Sequence, residues 1–206
     1  MAYGFYFDST RCTGCRTCEM ACKDYKDLSA DVAFRKVYDY EGGSCAANAD
    51  GTATSTAFMY HVSAACNHCE TPQCFAACPS GAIEKDENGI VFVNEEACTG
   101  NGACVDACPY GVPILLKEEN KAVKCDMCRD RVAEGKQPIC VEACPLRALE
   151  WGDIDELAAA HPDAVKGIAP LADPSITGPC LLINACPAAK EVDDTTGFVA
   201  NELEVI

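Results

Sequence analysis

The sequence predicts an α+β fold in which short strands and short helices surround cysteine-rich loops. The chain has 206 residues, of which 18 are cysteine, a frequency high enough to dominate the choice of fold. Fifteen of these cysteines fall into four groups with similar spacing. Short apolar runs precede two of the groups, and turns that contain glycine or proline follow others. Together these observations indicate a repeated unit of strand, cysteine loop, short helix and strand.

The four groups share close spacing, and in three of them a proline follows the last cysteine. They are Cys12, Cys15, Cys18 and Cys22; Cys66, Cys69, Cys74 and Cys78; Cys98, Cys104 and Cys108; and Cys125, Cys128, Cys140 and Cys144. The first group has the C-x2-C-x2-C-x3-C spacing with which bacterial ferredoxins bind iron–sulfur clusters. The other three groups are variants of that spacing.

Cysteine at this density is typical of disulfides, zinc sites or iron–sulfur clusters. Disulfide scaffolds are usually short secreted chains, and cysteines this close in sequence would form strained bridges. Zinc sites use paired CxxC units that supply four ligands each, which is not the repeated spacing here. The sequence therefore predicts iron–sulfur clusters. Gly14, Gly100 and Gly102 fit this interpretation, because tight loops around a cluster need positive φ angles and backbone N–H groups directed at the sulfides.

The last cysteine of each group predicts how the groups pair. In two-cluster ferredoxins this cysteine binds the other cluster. Groups two and three lie close together with a predicted hairpin turn at 87–89, so we expect them to form one module. Groups one and four should then pair across it. The prediction is two ferredoxin-like two-cluster modules, one inserted in the other, with the first at 1–57 plus 118–152 and the inserted one at 58–117.

Local patterns predict the elements that lead into and out of the cysteine loops. Residues 5–8 and 90–94 are predicted strands that deliver the chain to a loop. Residues 79–83 and 145–149 match each other and are predicted helical turns that return to a strand. Residues 129–135 are predicted to form a short helix that ends at a glycine.

Two segments lack such a pattern. Residues 41–57 are rich in Gly, Ala, Asn and Thr and are predicted to form a surface loop. Residues 153–206 show little periodicity and are predicted to be an extended C-terminal tail that runs over the surface or over a partner.

Charge excludes one class of partner. The chain carries 16 Lys and Arg against 32 Asp and Glu, a net charge of −16, whereas nucleic-acid binding requires a basic surface. The acids concentrate in the inserted module and the tail, either as a solvated surface or as a docking face for a basic partner. No apolar run reaches the length of a membrane span. The N-terminal residues lack the features of an export signal, so we expect a soluble chain that carries no export signal of its own.

The motifs resemble a known family, the iron–sulfur (B) subunits of dimethyl sulfoxide reductase-type molybdopterin oxidoreductases. The resemblance covers roughly residues 3–152 and is carried by 66–69, 108–111, 124–140 and 144–149. It implies an electron-transfer subunit that is not catalytic alone. Such a subunit relays electrons between a molybdopterin (Mo or W) catalytic subunit and a quinol-linked membrane anchor or a soluble carrier. The alternative is a free-standing polyferredoxin that carries electrons without an obligate partner.

The resemblance also implies four ligand sets. Cluster one takes Cys12, Cys15, Cys18 and Cys144; cluster two takes Cys125, Cys128, Cys140 and Cys22; cluster three takes Cys66, Cys69, Cys74 and Cys108; cluster four takes Cys98, Cys104 and Cys78. In the family, cluster one faces the catalytic subunit and cluster four lies at the far end. The expected cofactors are three [4Fe–4S] clusters and a fourth cluster of a different kind.

Asn101 makes the fourth cluster different. It stands where the spacing calls for the second cysteine of group three, and a neutral carboxamide oxygen is a poor substitute for a thiolate. Three thiolates for four iron corners predict a [3Fe–4S] cluster, or a [4Fe–4S] cluster whose last iron takes Asn101 or a solvent ligand. Some members of the family carry tryptophan here and bind [3Fe–4S].

The remaining candidate residues have weaker patterns. Cys45, Cys180 and Cys186 are predicted to be free thiols, with a disulfide as the alternative. His68 lies inside a ligand loop, where it could hydrogen-bond a cluster sulfide. The chain has no phosphate-binding or dinucleotide motif, so no catalytic residue is predicted. Family members without a signal can be exported with a partner, and the expected location is the outer face of the cytoplasmic membrane, with the cytoplasm as the alternative.

Overall fold

The computed structural model describes residues 2–205 as a mixture of short strands and helices, which confirms the α+β class. The strands are β1 (Tyr3–Asp8), β2 (Lys36–Gly42), β3 (Cys45–Ala47), β4 (Ala53–Ser55), β5 (Phe58–Ala64), β6 (Ile83–Lys85), β7 (Val91–Val93), β8 (Ile114–Leu116), β9 (Lys121–Val123), β10 (Leu149–Asp153), β11 (Leu181–Asn184) and β12 (Gly197–Val199). The helices are α1 (Thr17–Tyr25), α2 (Gln73–Ala77), α3 (Ala103–Ala107), α4 (Arg129–Ala133), α5 (Ile139–Glu142), α6 (Ile154–Ala160) and α7 (Glu202–Val205), with a 3-10 turn at Pro174–Ile176.

Strand β1 is the centre of a three-stranded sheet in the order β10–β1–β11. Its aromatic side chains favour a half-buried extended chain. Phe5 lies opposite Trp151 of the antiparallel strand β10 and opposite Leu181 of the parallel strand β11. A Cβ atom at Gly4 would lie 2.6 Å from the Cys180 carbonyl oxygen. Glycine therefore lets the C-terminal part of the chain approach β1 closely.

A second sheet has the order β12–β2–β5. Tyr40 of β2 and Tyr60 of β5 lie opposite each other and are 3% and 4% exposed. The Tyr60 hydroxyl donates to the Ala169 carbonyl at 2.9 Å. This sheet and the β1 sheet contribute about half of the main apolar core, and loops, helices and residues of the C-terminal part such as Leu171 contribute the rest.

The turn predicted at 87–89 is present and joins β6 to β7. The Asp86 carboxylate accepts from the backbone N–H groups of Asn88 and Ile90 at 3.0 and 2.9 Å, which fixes the turn. Gly89 has a φ of +77°, a conformation that favours glycine. A similar hairpin, β8–β9, follows group three.

The helices are short and most of them contain or border cysteines of the groups. The helix predicted after Cys128 is α4, and Gly135 lies just beyond its end with a φ of +74°. The longest helix, α1, has nine residues. Within residues 2–205, no helix is both long enough and apolar enough to cross a bilayer.

The prediction of a surface loop at 41–57 is wrong in its secondary structure. The segment begins in β2 and then forms the antiparallel hairpin β3–β4, in which Cys45 lies opposite Ser55. All six residues of the two strands are exposed. A strand pair without a buried face has no apolar alternation, so the pattern on which a sequence prediction depends is missing.

The prediction of an extended C-terminal tail at 153–206 is also wrong. Helix α6 is capped by Asp153, whose carboxylate accepts from the N–H groups of Asp155 and Glu156. Strand β11 is almost entirely buried, and Ile183 is 0% exposed. A strand of four residues with consecutive buried side chains shows neither alternation nor helical periodicity. The C-terminal part is therefore a component of the core.

Candidate iron–sulfur centres

Short helices place the last two cysteines of every group. Cys18 and Cys22 lie four residues apart on α1, and both are buried. The same spacing recurs at Cys74 and Cys78 around α2, at 104 and 108 around α3, and at 140 and 144 around α5. Four residues advance a helix by about 6 Å, so the two sulfurs of each pair stand at different points along the helix axis. Helices α1 and α5 pack together, as do α2 and α3.

Four cysteines from two distant groups line one small cavity. They are Cys12, Cys15, Cys18 and Cys144, and we call this arrangement site one. Burial, together with negative charge on the other three sulfurs and against a backbone hydrogen bond at Gly14, raises the pKa of Cys12 to about 11. Repulsion of this kind requires that the four sulfurs are close. Cys144 therefore lies beside the cysteines of group one, although it belongs to group four and is distant from them in the sequence.

The second arrangement, site two, contains Cys22, Cys125, Cys128 and Cys140. Burial raises the pKa of Cys22 to about 12, and negative charge on Cys140 and Cys128 adds to the effect. Burial also raises the pKa of Cys125, and negative charge on Cys66 of site three and on Cys22 and Cys140 contributes. Cys22 thus lies with group four.

The third arrangement, site three, contains Cys66, Cys69, Cys74 and Cys108. Burial raises the pKa of Cys74 to about 12, with contributions from the other three sulfurs. Cys108 comes from group three and the other sulfurs come from group two. Site three, like the first two, is therefore a product of the tertiary structure.

The fourth arrangement, site four, contains three cysteines. Burial raises the pKa of Cys104, and negative charge on Cys78 and Cys98 contributes. Asn101 is exposed, and its Oδ1 accepts from the Ala103 backbone N–H at 3.1 Å. The carboxamide oxygen is thus used locally, next to the start of α3.

The surroundings of the sulfurs fit iron–sulfur clusters. Backbone N–H groups donate to Cys98, Cys125 and Cys144 at 3.3, 3.4 and 3.3 Å, the kind of bond that tunes cluster potentials. Within residues 2–205, no three His, Cys, Asp or Glu side chains are grouped as ligands of a single metal ion. A cluster needs sulfurs spread around a space instead.

The conformations of the ligand loops also fit bound iron–sulfur clusters. Gly14 has a φ of +66°, and a Cβ atom there would lie 2.6 Å from the His61 ring. Met127 and Cys128, inside the loop of group four, have φ angles of +58° and +51°. Such angles carry a strain that the surrounding structure must offset, and they turn successive backbone N–H groups inwards.

Arg35 is a buried cation between sites one and two that the sequence analysis missed. It is 2% exposed, and its Nη1 donates to the carbonyl and hydroxyl oxygens of Ser63 at 3.2 and 3.1 Å. The Ser63 hydroxyl lies 3.3 Å from Cys18 Sγ. Burial alone would lower the pKa of Arg35, but negative charge on Cys140 and Cys18 raises it. Arg35 Nε has no hydrogen-bond partner in the described chain, which fits an acceptor such as a cluster sulfide.

His68 and Lys124 lie between sites two and three. His68 is 0% exposed, and its Nε2 lies 3.9 Å from Cys125 Sγ. The predicted hydrogen bond of His68 to a cluster sulfide stays a prediction, and the cysteine sulfur that its ring approaches belongs to another group. Lys124 was also missed as a site residue. Its position beside Cys125 is the only signal that the sequence offers, because its partners come from distant segments.

The three remaining cysteines lie outside the four sites. Cys45 is exposed on β3, Cys180 is buried just before β11, and Cys186 is half-buried. The backbone of Cys180 lies close to site three, because its N–H donates at 2.9 Å to the carbonyl of Asn67, the residue that follows Cys66. None of the three forms a disulfide within residues 2–205.

Comparison with known proteins agrees with this geometry. A 4Fe-4S binding domain matches residues 9–26, and a 4Fe-4S dicluster domain matches residues 57–154. Fold and cysteine arrangement thus define an iron–sulfur protein of the ferredoxin type.

Relatives identify the family more closely. The sequence is 50% identical over 203 residues to the B subunit of the anaerobic dimethyl sulfoxide reductase of Escherichia coli (strain K12), with 98% of each protein covered. It is 39% identical to the thiosulfate reductase electron transfer subunit of Salmonella typhi, covering 75% of this protein and 77% of that one. It is 35% identical to the iron-sulfur subunit of the nitrate-inducible formate dehydrogenase of Escherichia coli (strain K12), covering 73% and 54%. This protein belongs to the family of iron–sulfur electron-transfer subunits of multi-subunit oxidoreductases, whose members are not catalytic alone.

Proposed function

We propose that this chain relays electrons through four iron–sulfur clusters between a molybdopterin (Mo or W) catalytic subunit and a quinol-linked membrane anchor or another carrier. The observation that carries the proposal is the assembly of fifteen cysteines into four sites. Iron–sulfur clusters supply one-electron redox chemistry when bound. The chain's own residues hold them, exclude water and set the charge around them.

Shared elements and close contacts connect each site to the next, which supports a relay. Helix α1 carries Cys18 of site one and Cys22 of site two, and α2 carries Cys74 of site three and is followed directly by Cys78 of site four. Cys66 of site three and Cys125 of site two are close enough for their charges to interact. The proposed order is therefore one, two, three and four.

The proposed domain organisation follows the same contacts. Residues 1–57 plus 118–152 form the first ferredoxin-like module, and 58–117 form a module inserted into it. Pairing of β1 with β10 and packing of α1 on α5 support the first module. Pairing of β6 with β7 and packing of α2 on α3 support the second.

For site four we propose a [3Fe–4S] cluster, with a [4Fe–4S] cluster of non-cysteine ligation as the alternative. Three thiolates are present, and the Asn101 oxygen is engaged with a backbone N–H, which supports the first assignment. One thiolate fewer leaves less negative charge, so this cluster should have a higher potential than its neighbours.

We further propose that site one faces the catalytic subunit and site four lies at the opposite end. Cys15 is the exposed cysteine of site one, and exposure of a ligand suits transfer across an interface. The proposed location is the outer face of the cytoplasmic membrane, reached together with an exported partner, with the cytoplasm as the alternative.

Purification from the native cells under anaerobic conditions tests the relay. We expect a stoichiometric complex with a larger protein that contains molybdenum or tungsten, and about 15 iron atoms on this chain for three cubanes and one [3Fe–4S] cluster. A chain that purifies alone with full iron and exchanges electrons freely would identify a polyferredoxin instead. Iron content for two clusters would contradict the four-site arrangement.

A further inference from the structure

Lys124 extends from the loop of site two to a ligand of site three. It precedes Cys125 in the chain, yet its Nζ donates to Cys66 Sγ at 3.3 Å. The same nitrogen donates to the Cys125 carbonyl at 2.7 Å and to the Val91 carbonyl. Three acceptors around one nitrogen use three hydrogens, which only the charged ammonium possesses. Lys124 is 5% exposed, so its charge acts in a region with little solvent screening.

His68 makes the opposite connection. It lies in the loop of site three, between Cys66 and Cys69, but its Nε2 faces Cys125 Sγ of site two at 3.9 Å. Its Nδ1 accepts from the Val91 backbone N–H at 3.0 Å. Because Nδ1 is the acceptor in that bond, the ring hydrogen is on Nε2 and points to the sulfur. The backbone N–H of one residue therefore fixes the tautomer of this histidine.

The two connections are reciprocal and share one anchor. Each loop sends a buried donor to a ligand sulfur of the other site, and both donors contact the backbone of Val91 in β7. His68 has a φ of +44°, which is unfavourable for most residues. A strained backbone that positions a fully buried donor is typical of a functional constraint.

We propose that Lys124 and His68 are positioning residues that bridge sites two and three and set the reduction potential of the cluster in the opposite site. This inference rests on the proposed function, because it requires clusters in both sites. Reduction adds one electron, and hence one negative charge, to a cluster without a change in ligation. A donor or a cation on a ligand sulfur stabilises that charge and raises the potential. Lys124 should therefore act on site three, and His68 on site two.

Three substitutions distinguish a specific contact between the two sites from a general effect of nearby charge on the potentials. Lys124→Met removes the ammonium and keeps the length of the side chain. His68→Asn keeps an acceptor for the Val91 N–H, loses the donor to Cys125, and places a residue that tolerates positive φ. The matched control is Lys85→Met, because Lys85 donates to the Cys69 and Glu70 carbonyls near site three but to no ligand sulfur.

The measurement is potentiometric titration of the purified complex followed by EPR spectroscopy. Signals are assigned to sites two and three with Cys128→Ser and Cys69→Ser. Lys124→Met should lower the equilibrium constant for reduction at site three about tenfold or more, ~59 mV for a one-electron couple. His68→Asn should lower the potential at site two in the same direction. Lys85→Met should leave both potentials near those of the wild type.

The possible results include four that contradict the bridge or the proposed function. The potential of site two could shift in Lys124→Met, and that of site three in His68→Asn. This result would show that each residue acts on the cluster of its own loop, and it would overturn the bridge. If Lys124→Met does not assemble, Lys124→Arg keeps the charge and must retain the wild-type potential at site three. Loss of assembly in both Lys124 variants and in His68→Asn would assign the pair a purely structural role. A wild type that lacks four clusters contradicts the proposed function itself, whereas four clusters with unshifted potentials contradict only the bridge.

Discussion

Cys18 and Cys22 lie one helical turn apart on α1, yet their sulfurs belong to different sites. Cys18 lies in the cavity of site one, and Cys22 is surrounded by Cys140 and Cys128 of site two. The rise of a helix separates the two sulfurs while the helix keeps them rigidly linked. One short helix thus connects two neighbouring sites. Helix α5 makes the reciprocal connection, because it carries Cys140 of site two and is followed by Cys144 of site one.

This relationship predicts crossed damage when a ligand is removed. Cys144→Ser should disturb the cluster of group one, because Cys144 lines that cavity although it follows Cys140 by only four residues. EPR spectra of the complex should lose the signal of site one and keep that of site two. Cys140→Ser is the matched control and should do the reverse. Loss confined to the site of Cys125, Cys128 and Cys140 in the Cys144 variant would show that the chain does not cross.

Restoring the missing cysteine should convert site four. In the air-oxidised complex we expect a [3Fe–4S] EPR signal of about one spin per chain, and Asn101→Cys should abolish it by allowing a fourth iron to bind. Asn101→Ala should keep the signal, since no ligand is gained. An EPR-silent oxidised wild type with a full complement of iron would instead support the [4Fe–4S] alternative.

The C-terminal part should be required for stability. Ile183 is 0% exposed in β11, so Ile183→Ala should reduce the free energy of unfolding by about 2–5 kcal/mol. Leu203, which is 91% exposed, provides the control, and Leu203→Ala should change little. Thermal unfolding of the cluster-loaded protein measures both. Equal effects of the two substitutions would contradict the buried position of β11.

Exposed acids of the inserted module should govern exchange with an outside carrier. Glu87, Glu95 and Glu96 are exposed, whereas Asp86 fixes a hairpin and Glu84 accepts from the Asn94 side chain at 2.7 Å. Replacing the three exposed glutamates by glutamine should alter the salt dependence of electron exchange. The complex with the catalytic subunit should stay intact. Its dissociation would show that the relay is oriented the other way.

Removal of the clusters should unfold the chain. The half-buried thiol of Cys12 and the buried thiol of Cys22, with pKa values raised to about 11 and about 12, hold their protons at neutral pH when no iron is present. Loading therefore releases protons, and the free energy of ligation contributes to folding. Circular dichroism of the chelator-treated protein should show loss of tertiary structure without a cooperative thermal transition. A cooperative transition in the cluster-free protein would refute this expectation.

Local sequence patterns were sufficient to predict the elements that end at a clear turn or glycine. The β6–β7 hairpin and the helix that ends before Gly135 depend on contacts within a few residues, such as the bonds of the Asp86 carboxylate. The predictions for strand β11 and for the β3–β4 hairpin are wrong. Strand β11 is almost entirely buried, whereas the β3–β4 hairpin has no buried face. In both cases the alternation of apolar and polar residues that identifies a strand is absent.

The sequence by itself determined the kind of chemistry, because cysteine spacing is a local property and a cluster loop needs its ligands close together in the chain. It also identified Asn101 as the departure from the pattern. Only the tertiary structure decided which donors surround each site. Arg35, His68 and Lys124 lie near sulfurs of distant groups, and the energy that keeps such charges and donors buried comes from partners brought together by folding.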